Sequence, residues 1–153
     1  MKDRKTLKML QELGAFILAG AKGPADVKQM CEMIRDAGAW RWVGVYKISR
    51  GNLVIVAGSG DDPPCYPKFP VTQGLCGAAV ETRETIVAND VRNEVRYLPT
   101  FNSTLSEIVV PAISAANRVV GVIAAESGKV NAFSNDDREV LERVASLMGH
   151  AFK

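Results

Sequence analysis

Apolar residues recur every three or four positions in three stretches of the chain, which predicts three amphipathic helices. The first runs from Thr6 to about Ala19, the second from Pro24 to Gly38, and the third begins at a capping residue, Ser134. The residues that define their apolar faces are Leu7, Leu10, Leu13 and Ile17; Val27, Met30, Cys31 and Ile34; and Val140, Leu141, Val144, Leu147, Met148 and Ala151.

Alternating or continuous apolar runs predict five strands between these helices. They cover residues 40–48, 53–57, 86–88, 107–113 and 119–125. The first two and the last two are joined by turns too short for a crossover, so the sheet is predicted to be mostly antiparallel.

A short helix is predicted over 74–83, with loops at 58–70 and 89–105 on either side of it. Four prolines in the first loop oppose regular helix there. The order of elements predicts an α/β domain of the α+β type: helices from both termini cover one face of the sheet, and the short helix and long loops cover the other.

Composition indicates one domain with a well-filled core, because the chain has 153 residues of which 47% are hydrophobic. A net charge of +2 is too small to indicate nucleic acid or an anionic membrane as partner. No apolar run is long enough to span a bilayer, and the start of the chain lacks the pattern of a signal peptide. Three cysteines make no disulfide framework and show no zinc-ligand spacing, so we expect a cytoplasmic protein without a metal or cofactor.

Aromatic residues near the long loops are candidates for a ligand pocket. Trp42 and Tyr46 share one face of the first strand, where they either floor a pocket or belong to the core. Tyr97 and Phe101 lie in a long polar loop, which is either a lid over a small polar ligand or a solvated loop anchored by two aromatic rings.

Several stretches then resemble the GAF domain family in order and spacing. They are WVGVY (42–46), GLCGAAVETRETIVANDV (74–91), SEIVVPAI (106–113) and RVVGVIAAESGKVNAFSNDDREVLERVA (118–145). The resemblance implies a single GAF domain over 1–153, with leading helices in 1–38 and the GAF core in 40–153. It also implies a small polar metabolite bound between sheet and loops, a homodimer formed through terminal helices, and a role in signal transduction.

Within that family the chain is most similar to the stand-alone subgroup that contains free methionine-(R)-sulfoxide reductases. PVTQGLCG at 70–77 matches their pattern and places Cys76 at one cysteine position. Cys65 matches a second cysteine position after a one-residue insertion, and Glu107 matches an active-site glutamate. The resemblance implies a thioredoxin-type reductant for such an enzyme.

The chain departs from the reductase pattern at two positions. Thr100 stands where the reductases have their attacking cysteine, and residues 89–105 contain no cysteine. Of two acidic residues in the strand written GVIAAES, Ala124 replaces the first and Glu126 keeps the second. A threonine hydroxyl supplies neither a thiolate nor a disulfide, so the enzymatic interpretation is weakened at its central residue.

The chemistry-bearing residues therefore have two interpretations each. Cys65 and Cys76 are a redox pair, in which the helix N-terminus lowers the pKa of the Cys76 thiol, or two unreactive small residues. Glu107 and Glu126 bind an amino group or act as acid and base. Alternatively, they are rim residues that face solvent, or they form salt bridges with Arg96 or Arg118.

Three functions follow from these alternatives. We expect a non-catalytic sensor domain that binds a small metabolite through pocket residues from strand and loop. The second hypothesis is a thiol reductase that uses Cys65 and Cys76. The third is a module whose terminal helices bind a signalling protein, which an exposed apolar stripe would support. The ligand-binding residues are predicted to be Trp42, Tyr46, Tyr97, Phe101, Thr100, Glu107 and Glu126.

Overall fold

A computed structural model describes residues 3–61, 63–64, 66–99, 101 and 103–152. Two predicted site residues, Cys65 and Thr100, lie outside the described residues, as does the side chain of Ala151. The helices are α1 (Arg4–Leu18), α2 (Gly23–Gly38), α3 (Gly74–Thr82) and α4 (Asn135–Leu147), with 3₁₀ helices at Val91–Asn93 and Met148–Phe152. The strands are β1 (Trp42–Ser49), β2 (Asn52–Gly60), β3 (Lys68–Pro70), β4 (Ile86–Ala88), β5 (Ser106–Ile113) and β6 (Val119–Ser127).

Local capping fixes where the long helices begin and end. The Thr6 N–H donates to Oδ1 of Asp3 over 2.7 Å at the start of α1. Ser134 and Asp137 form a reciprocal capping box at the start of α4. Helix α2 ends at Gly38, and Ala39 follows in the left-handed conformation. The three terminal helices predicted from apolar periodicity are thereby confirmed.

The strands form one sheet in the order β3-β2-β1-β6-β5-β4. All five strand pairs formed by the described residues are antiparallel. β1 and β6, which lie far apart in the sequence, are neighbours in the centre. The sheet thus brings the first hairpin and the last hairpin together, and the prediction of a mostly antiparallel sheet is confirmed.

Two hydrophobic cores lie on opposite faces of the sheet. The helix-side core is formed by α1, α2 and α4 against alternate residues of β1, β5 and β6. It includes Val43, Val45, Ile108, Val110, Ile123 and Ala125. The site-side core lies beneath α3 and includes Tyr46, Leu53, Phe69, Leu75, Cys76, Val109, Val122 and Ala124. The predicted layering of terminal helices on one face and the short helix on the other is confirmed.

Two details of the sheet differ from the sequence prediction. The loop predicted at 58–70 contains a sixth strand, β3, which pairs with the start of β2 at the edge of the sheet. Pro70 is the one proline in β3. It is compatible with an edge strand, because one side of such a strand needs no ladder hydrogen bonds. The first strand begins at Trp42 rather than at residue 40, and Trp40 packs instead on Phe133 in the helix-side core, with ring centroids 5.3 Å apart.

Helix α1 leaves two large apolar side chains in solvent. Leu7 is 48% exposed and Leu18 is 90% exposed. Within the described residues, no helix is both long enough and apolar enough to span a lipid bilayer.

Glycines in β1 and β2 make room for the Trp42 indole. Gly44 pairs with Gly58, and Trp42 itself pairs with Gly60. A Cβ at Gly44 would lie 2.6 Å from Cζ2 of Trp42, and a Cβ at Gly58 would overlap its Cη2. The indole therefore lies flat over a surface that only glycine leaves open.

We expect Gly58→Ala to destabilise the fold by about 1–3 kcal/mol, because the added methyl group must displace Trp42 or bend β2. Gly14→Ala is the matched control. Gly14 lies inside α1 with open space where a methyl group would be added, so alanine there should stabilise the helix by about 0.5–1 kcal/mol. Urea unfolding followed by tryptophan fluorescence measures both. Equal midpoints for Gly58→Ala and wild type would contradict this account of Trp42.

Candidate functional site

Two carboxyl groups face each other on the site side of the sheet. Glu107 of β5 pairs directly with Glu126 of β6. Alternation along each strand sends both side chains to the face that α3 covers, together with Val109 and Ala124. Glu107 is 4% exposed and Glu126 is 1% exposed. The expectation of solvent-facing rim residues is therefore wrong.

The alternative partners of these glutamates are also excluded. The Arg96 Nε donates to Oε1 of Glu94 over 2.8 Å. Arg118 lies in the exposed turn between β5 and β6, where its N–H faces Ser114 Oγ. The arginines that the sequence offered as ion-pair partners are thus placed elsewhere.

The carboxyl pair is held by hydrogen bonds instead. Glu107 and Glu126 hydrogen-bond to each other through their side chains, which requires a proton on one of them. The Thr104 hydroxyl donates to Oε1 of Glu126 over 2.8 Å. Burial, followed by the neighbouring charge of Glu126, raises the pKa of Glu107 well above its ordinary value.

Cys76 lies in the first turn of α3, directly above this pair. The helix can begin close to the preceding turn because Gly77 lacks a side chain: a Cβ there would lie 2.7 Å from the Thr72 carbonyl carbon. The thiol is buried. Burial raises its pKa well above the ordinary value, and Glu107 and Glu126 raise it further.

The expectation that the helix N-terminus lowers the pKa of Cys76 is therefore wrong. A helix end favours an anion by about 0.3–1 kcal/mol at an exposed position. Removal of the thiolate from water and the approach of two carboxyl groups oppose this effect and are larger. The thiol is consequently protonated at neutral pH.

A small cavity connects these groups. Its volume is about 10 Å³, which is room for roughly one water molecule. It is lined by Tyr46, Tyr66, Phe69, Gly74, Leu75, Cys76, Leu98, Glu107, Ala124 and Glu126. Tyr46 packs edge-on against Phe69, with ring centroids 5.6 Å apart. The cavity thus combines a thiol, two carboxyl groups and two phenols with apolar walls.

Three other residues predicted to bind a ligand, Trp42, Tyr97 and Phe101, do not line this cavity. Trp42 contacts Phe101 edge-on, with ring centroids 5.3 Å apart, and the Arg41 guanidinium lies 5.2 Å from the Phe101 ring centroid. Trp42 lines a separate surface groove beneath the proline-rich loop. Its Nε1 is buried and has no hydrogen-bond partner among the described residues. Tyr97 packs partly buried against the site-side core, and its neighbour Leu98 lines the cavity.

Sequence reasoning misses several contributors to the cavity. It places Phe69 in a loop, because β3 has only three residues and a proline, too few to show a strand period. Tyr66 and Leu98 carry no local signal, because loop side chains have no fixed period. Thr104 reads as part of a polar loop, and its contact with Glu126 depends on the sheet register.

We expect Glu107→Gln to reduce the dependence of stability on pH. Native Glu107 keeps a proton that the unfolded chain loses above its ordinary pKa of 4.5, so unfolding releases a proton. The free energy of unfolding should therefore fall as pH rises from 4.5 toward the raised native value, and glutamine removes this contribution. Urea unfolding at pH values from about 4.5 to 8 gives the slopes. The control is Glu81→Gln at an exposed position of α3; equal slopes for Glu107→Gln and wild type would refute the shift.

We expect Cys76 to be alkylated slowly by iodoacetamide in the native protein. Each unit of raised pKa lowers the thiolate fraction tenfold, so the rate should be at least about ten times lower than in urea. The rate should still increase between pH 7 and 9, because the native pKa lies above 9.0. Mass spectrometry of the Cys76 peptide measures both. A rate that levels off below pH 8 would show that the thiol is activated instead.

The chain is similar to several known proteins. A free methionine-R-sulfoxide reductase of Saccharomyces cerevisiae is 32% identical over 109 residues, which are 70% of this chain and 60% of the yeast protein. GAF domain-containing protein A of Dictyostelium discoideum is 22% identical over 147 residues, which are 96% of this chain and 92% of that protein. The solved structure of a type II free methionine-R-sulfoxide reductase from Thermoplasma acidophilum superposes with a TM-score of 0.81 at 29% identity, covering 92% of this chain and 94% of that one.

The chain thus spans somewhat less than two thirds of the length of the yeast reductase. The family model for the GAF domain matches residues 27–153, from the second helix to the end. These residues contain most of both cores and the whole described cavity. The chain belongs to the GAF domain family.

Proposed function

We propose that the protein reduces the sulfoxide of a free amino acid of the methionine class with two of its own cysteines. The observation that carries this proposal is that the Cys76 thiol and the Glu107–Glu126 pair line one cavity. Similarity to proteins named free methionine-R-sulfoxide reductases in yeast and Thermoplasma supports the substrate class.

The charge of the cavity suits an amino-acid ammonium group. Among the described residues that line it there is no lysine, arginine or histidine. The Glu107–Glu126 pair, which keeps one proton and one negative charge, is therefore the charge that a ligand meets, and it attracts a cation. Ala124 lies on the same face of β6 as Glu126 and Val122. Its methyl group is small and leaves space beside Glu126 that a larger side chain would fill.

The substrate is larger than the closed cavity. A volume of about 10 Å³ holds roughly one water molecule, so binding requires the walls to separate. Tyr66 and Leu98 come from the two loops that flank α3, and Tyr66 is 44% exposed. We propose that these two loops move apart to admit the substrate, because neither residue belongs to a strand or helix.

The chemistry needs two thiols. A cysteine thiolate attacks the sulfoxide sulfur and the oxygen takes a proton. The resulting hydroxyl group then transfers to the cysteine sulfur, as the sulfur–oxygen bond of the substrate and the transient sulfur–sulfur bond break. The products are the thioether amino acid and a cysteine sulfenic acid. The second thiol attacks the sulfenic sulfur, water leaves, and a disulfide forms, which an external dithiol of the thioredoxin type then reduces.

We assign the first step to Cys65 and the second to Cys76. The raised pKa of Cys76 makes its thiol a poor attacking group. Cys65 directly precedes Tyr66, a residue of the cavity wall. Thr100 contributes no thiol in this scheme, so the attacking role moves from the second loop to the first.

The second candidate function is a non-catalytic domain that binds the same class of metabolite and signals its presence. It is favoured by the protonated state of Cys76 and by the lack of a cysteine in 89–105. Homodimer formation through the terminal helices, or docking of a signalling protein there, accompanies this candidate. The exposed Leu7 and Leu18 of α1 suit either partner.

We expect the wild-type protein to convert L-methionine-(R)-sulfoxide to methionine with dithiothreitol as the reductant. Amino-acid analysis of the product measures turnover without dependence on a particular protein reductant. Cys65→Ser should abolish turnover because it removes the attacking thiol. Cys76→Ser should reduce it strongly because the sulfenic acid is then resolved only from solution.

The matched control is Cys31→Ala, which removes a buried cysteine on the opposite face of the sheet. It should keep turnover if the folded protein is recovered. Turnover that survives Cys65→Ser would show that Cys65 is not the attacking cysteine and would assign the attack to Cys76. Absence of turnover in wild type, together with calorimetric binding of L-methionine or its sulfoxide, would establish the binding function instead.

A further inference from the structure

Thr104 is anchored firmly beside the carboxyl pair although it belongs to a loop. It is 4% exposed. The next residue, Leu105, extends the β5–β6 ladder: its N–H donates to the Ser127 carbonyl over 2.8 Å, and its own carbonyl accepts from the Val91 N–H over 2.9 Å. The position of the Thr104 hydroxyl is thus fixed by the sheet rather than by the loop.

The two carboxyl groups have unequal surroundings. Oε1 of Glu126 accepts the Thr104 hydroxyl over 2.8 Å. Within the described residues, the side-chain hydrogen bond of Glu107 is the one that it shares with Glu126. A donor directed at one carboxyl group favours the charged form of that group. One proton shared by the pair therefore has a preferred location.

We propose that Thr104 is a positioning residue that keeps Glu126 as the ionised member of the pair and leaves the shared proton on Glu107. The hydroxyl has no bond to break or form in this role. It acts through Glu126, and its effect is that two chemically identical carboxyl groups differ in their affinity for the shared proton.

Cys76 and Tyr46 do not supply this asymmetry. Cys76 on α3 and Tyr46 on β1 face both glutamates. Burial raises the pKa of the Cys76 thiol and of the Tyr46 hydroxyl, so the thiol and the phenol are neutral at pH 7. The Arg41 N–H donates to the main-chain carbonyl of Glu126, and its guanidinium lies over Phe101. Among the described lining residues there is no further cation.

This ordering deepens the proposed function and rests on it for its consequence. Ionised Glu126 would hold the substrate ammonium group. Protonated Glu107 would supply the proton that the sulfoxide oxygen takes as its bond to sulfur breaks. The two carboxyl groups would then have separate roles, which a symmetric pair could not assign.

The direct test observes the two carboxyl carbons without a ligand. Protein labelled with ¹³C at the glutamate side-chain carboxyl is titrated by NMR, with Glu107→Gln and Glu126→Gln used to assign the two signals. In wild type at pH 7 we expect the Glu126 carbon at the position of a carboxylate and the Glu107 carbon at the position of a carboxylic acid. Thr104→Val should move the two signals toward each other, and Thr104→Ser should restore the wild-type separation because it keeps the donor.

The kinetic test uses the same two variants. For L-methionine-(R)-sulfoxide, Thr104→Val should raise KM by roughly tenfold or more, the effect of losing one hydrogen bond to a charged group, with a smaller change in kcat. Thr104→Ser should stay within about twofold of wild type by the same argument. If Thr104 had a merely structural role, turnover would fall in both variants together and the carboxyl NMR signals would not move.

Two results would overturn the inference: a protonated Glu126 in wild type, or carboxyl signals that Thr104→Val leaves unchanged. The wild-type spectrum alone decides the first, so the test survives even if Thr104→Val does not fold. Absence of turnover in wild type with the expected spectra would refute the reductase and leave the role of Thr104 intact. Turnover in a protein whose two glutamates share the proton equally would refute the proposed role of Thr104 and leave the reductase proposal intact.

Discussion

The register between β5 and β6 is the constraint on which the rest of the site depends. It places Glu107 opposite Glu126 on the face beneath α3. A slip of β5 by one residue against β6 would turn Glu107 into the helix-side core, where Ile108 now packs, and the same slip of β6 would turn Glu126 there in place of Ala125. Those apolar residues therefore hold the carboxyl groups in place from the opposite face. The same hydrophobic pattern that stabilises the fold also aligns the polar site.

Burial of two facing carboxyl groups determines the chemistry of their neighbours. A buried carboxylate is costly unless it is neutralised or hydrogen-bonded, so the pair retains a proton and engages Thr104. The same environment disfavours a thiolate at Cys76. Position at a helix N-terminus is thus a weaker determinant of thiol reactivity here than burial and adjacent charge. Neither burial nor adjacent charge is visible in the linear spacing of Cys76, Glu107 and Glu126.

The fold was predictable from sequence wherever a periodic pattern extended over several residues. Apolar spacing located α1, α2 and α4, and continuous apolar runs located β5 and β6. The prediction failed at β3, because three residues are too few to show a period and the surrounding prolines indicate a loop. It also failed at Trp40, since an aromatic residue before a strand fits either face until Phe133 is placed against it.

The candidate site was predictable to the extent that it lies on strands. The strand face of Tyr46 follows from alternation, whereas the place of Glu107 and Glu126 beside a pocket follows from the resemblance to the GAF family. The three side chains line one cavity. The sequence could not show which loop residues line the cavity, because the direction of a loop side chain is set only by the folded path of the loop. Thus Leu98 lines the cavity where the sequence favoured Tyr97.

A binding domain and a reductase need the same carboxyl pair, and they differ in the thiols alone. Glu107, Glu126 and Thr104 belong to or adjoin the strands, so substitutions in the loops leave their arrangement unchanged. The groups proposed to bind an ammonium group are therefore positioned by the sheet, independently of which loop supplies an attacking thiol. In the proposed reductase the attacking thiol would come from a loop and the second thiol, Cys76, from α3. On this proposal, loss or relocation of an attacking cysteine would separate catalysis from binding without a change of fold.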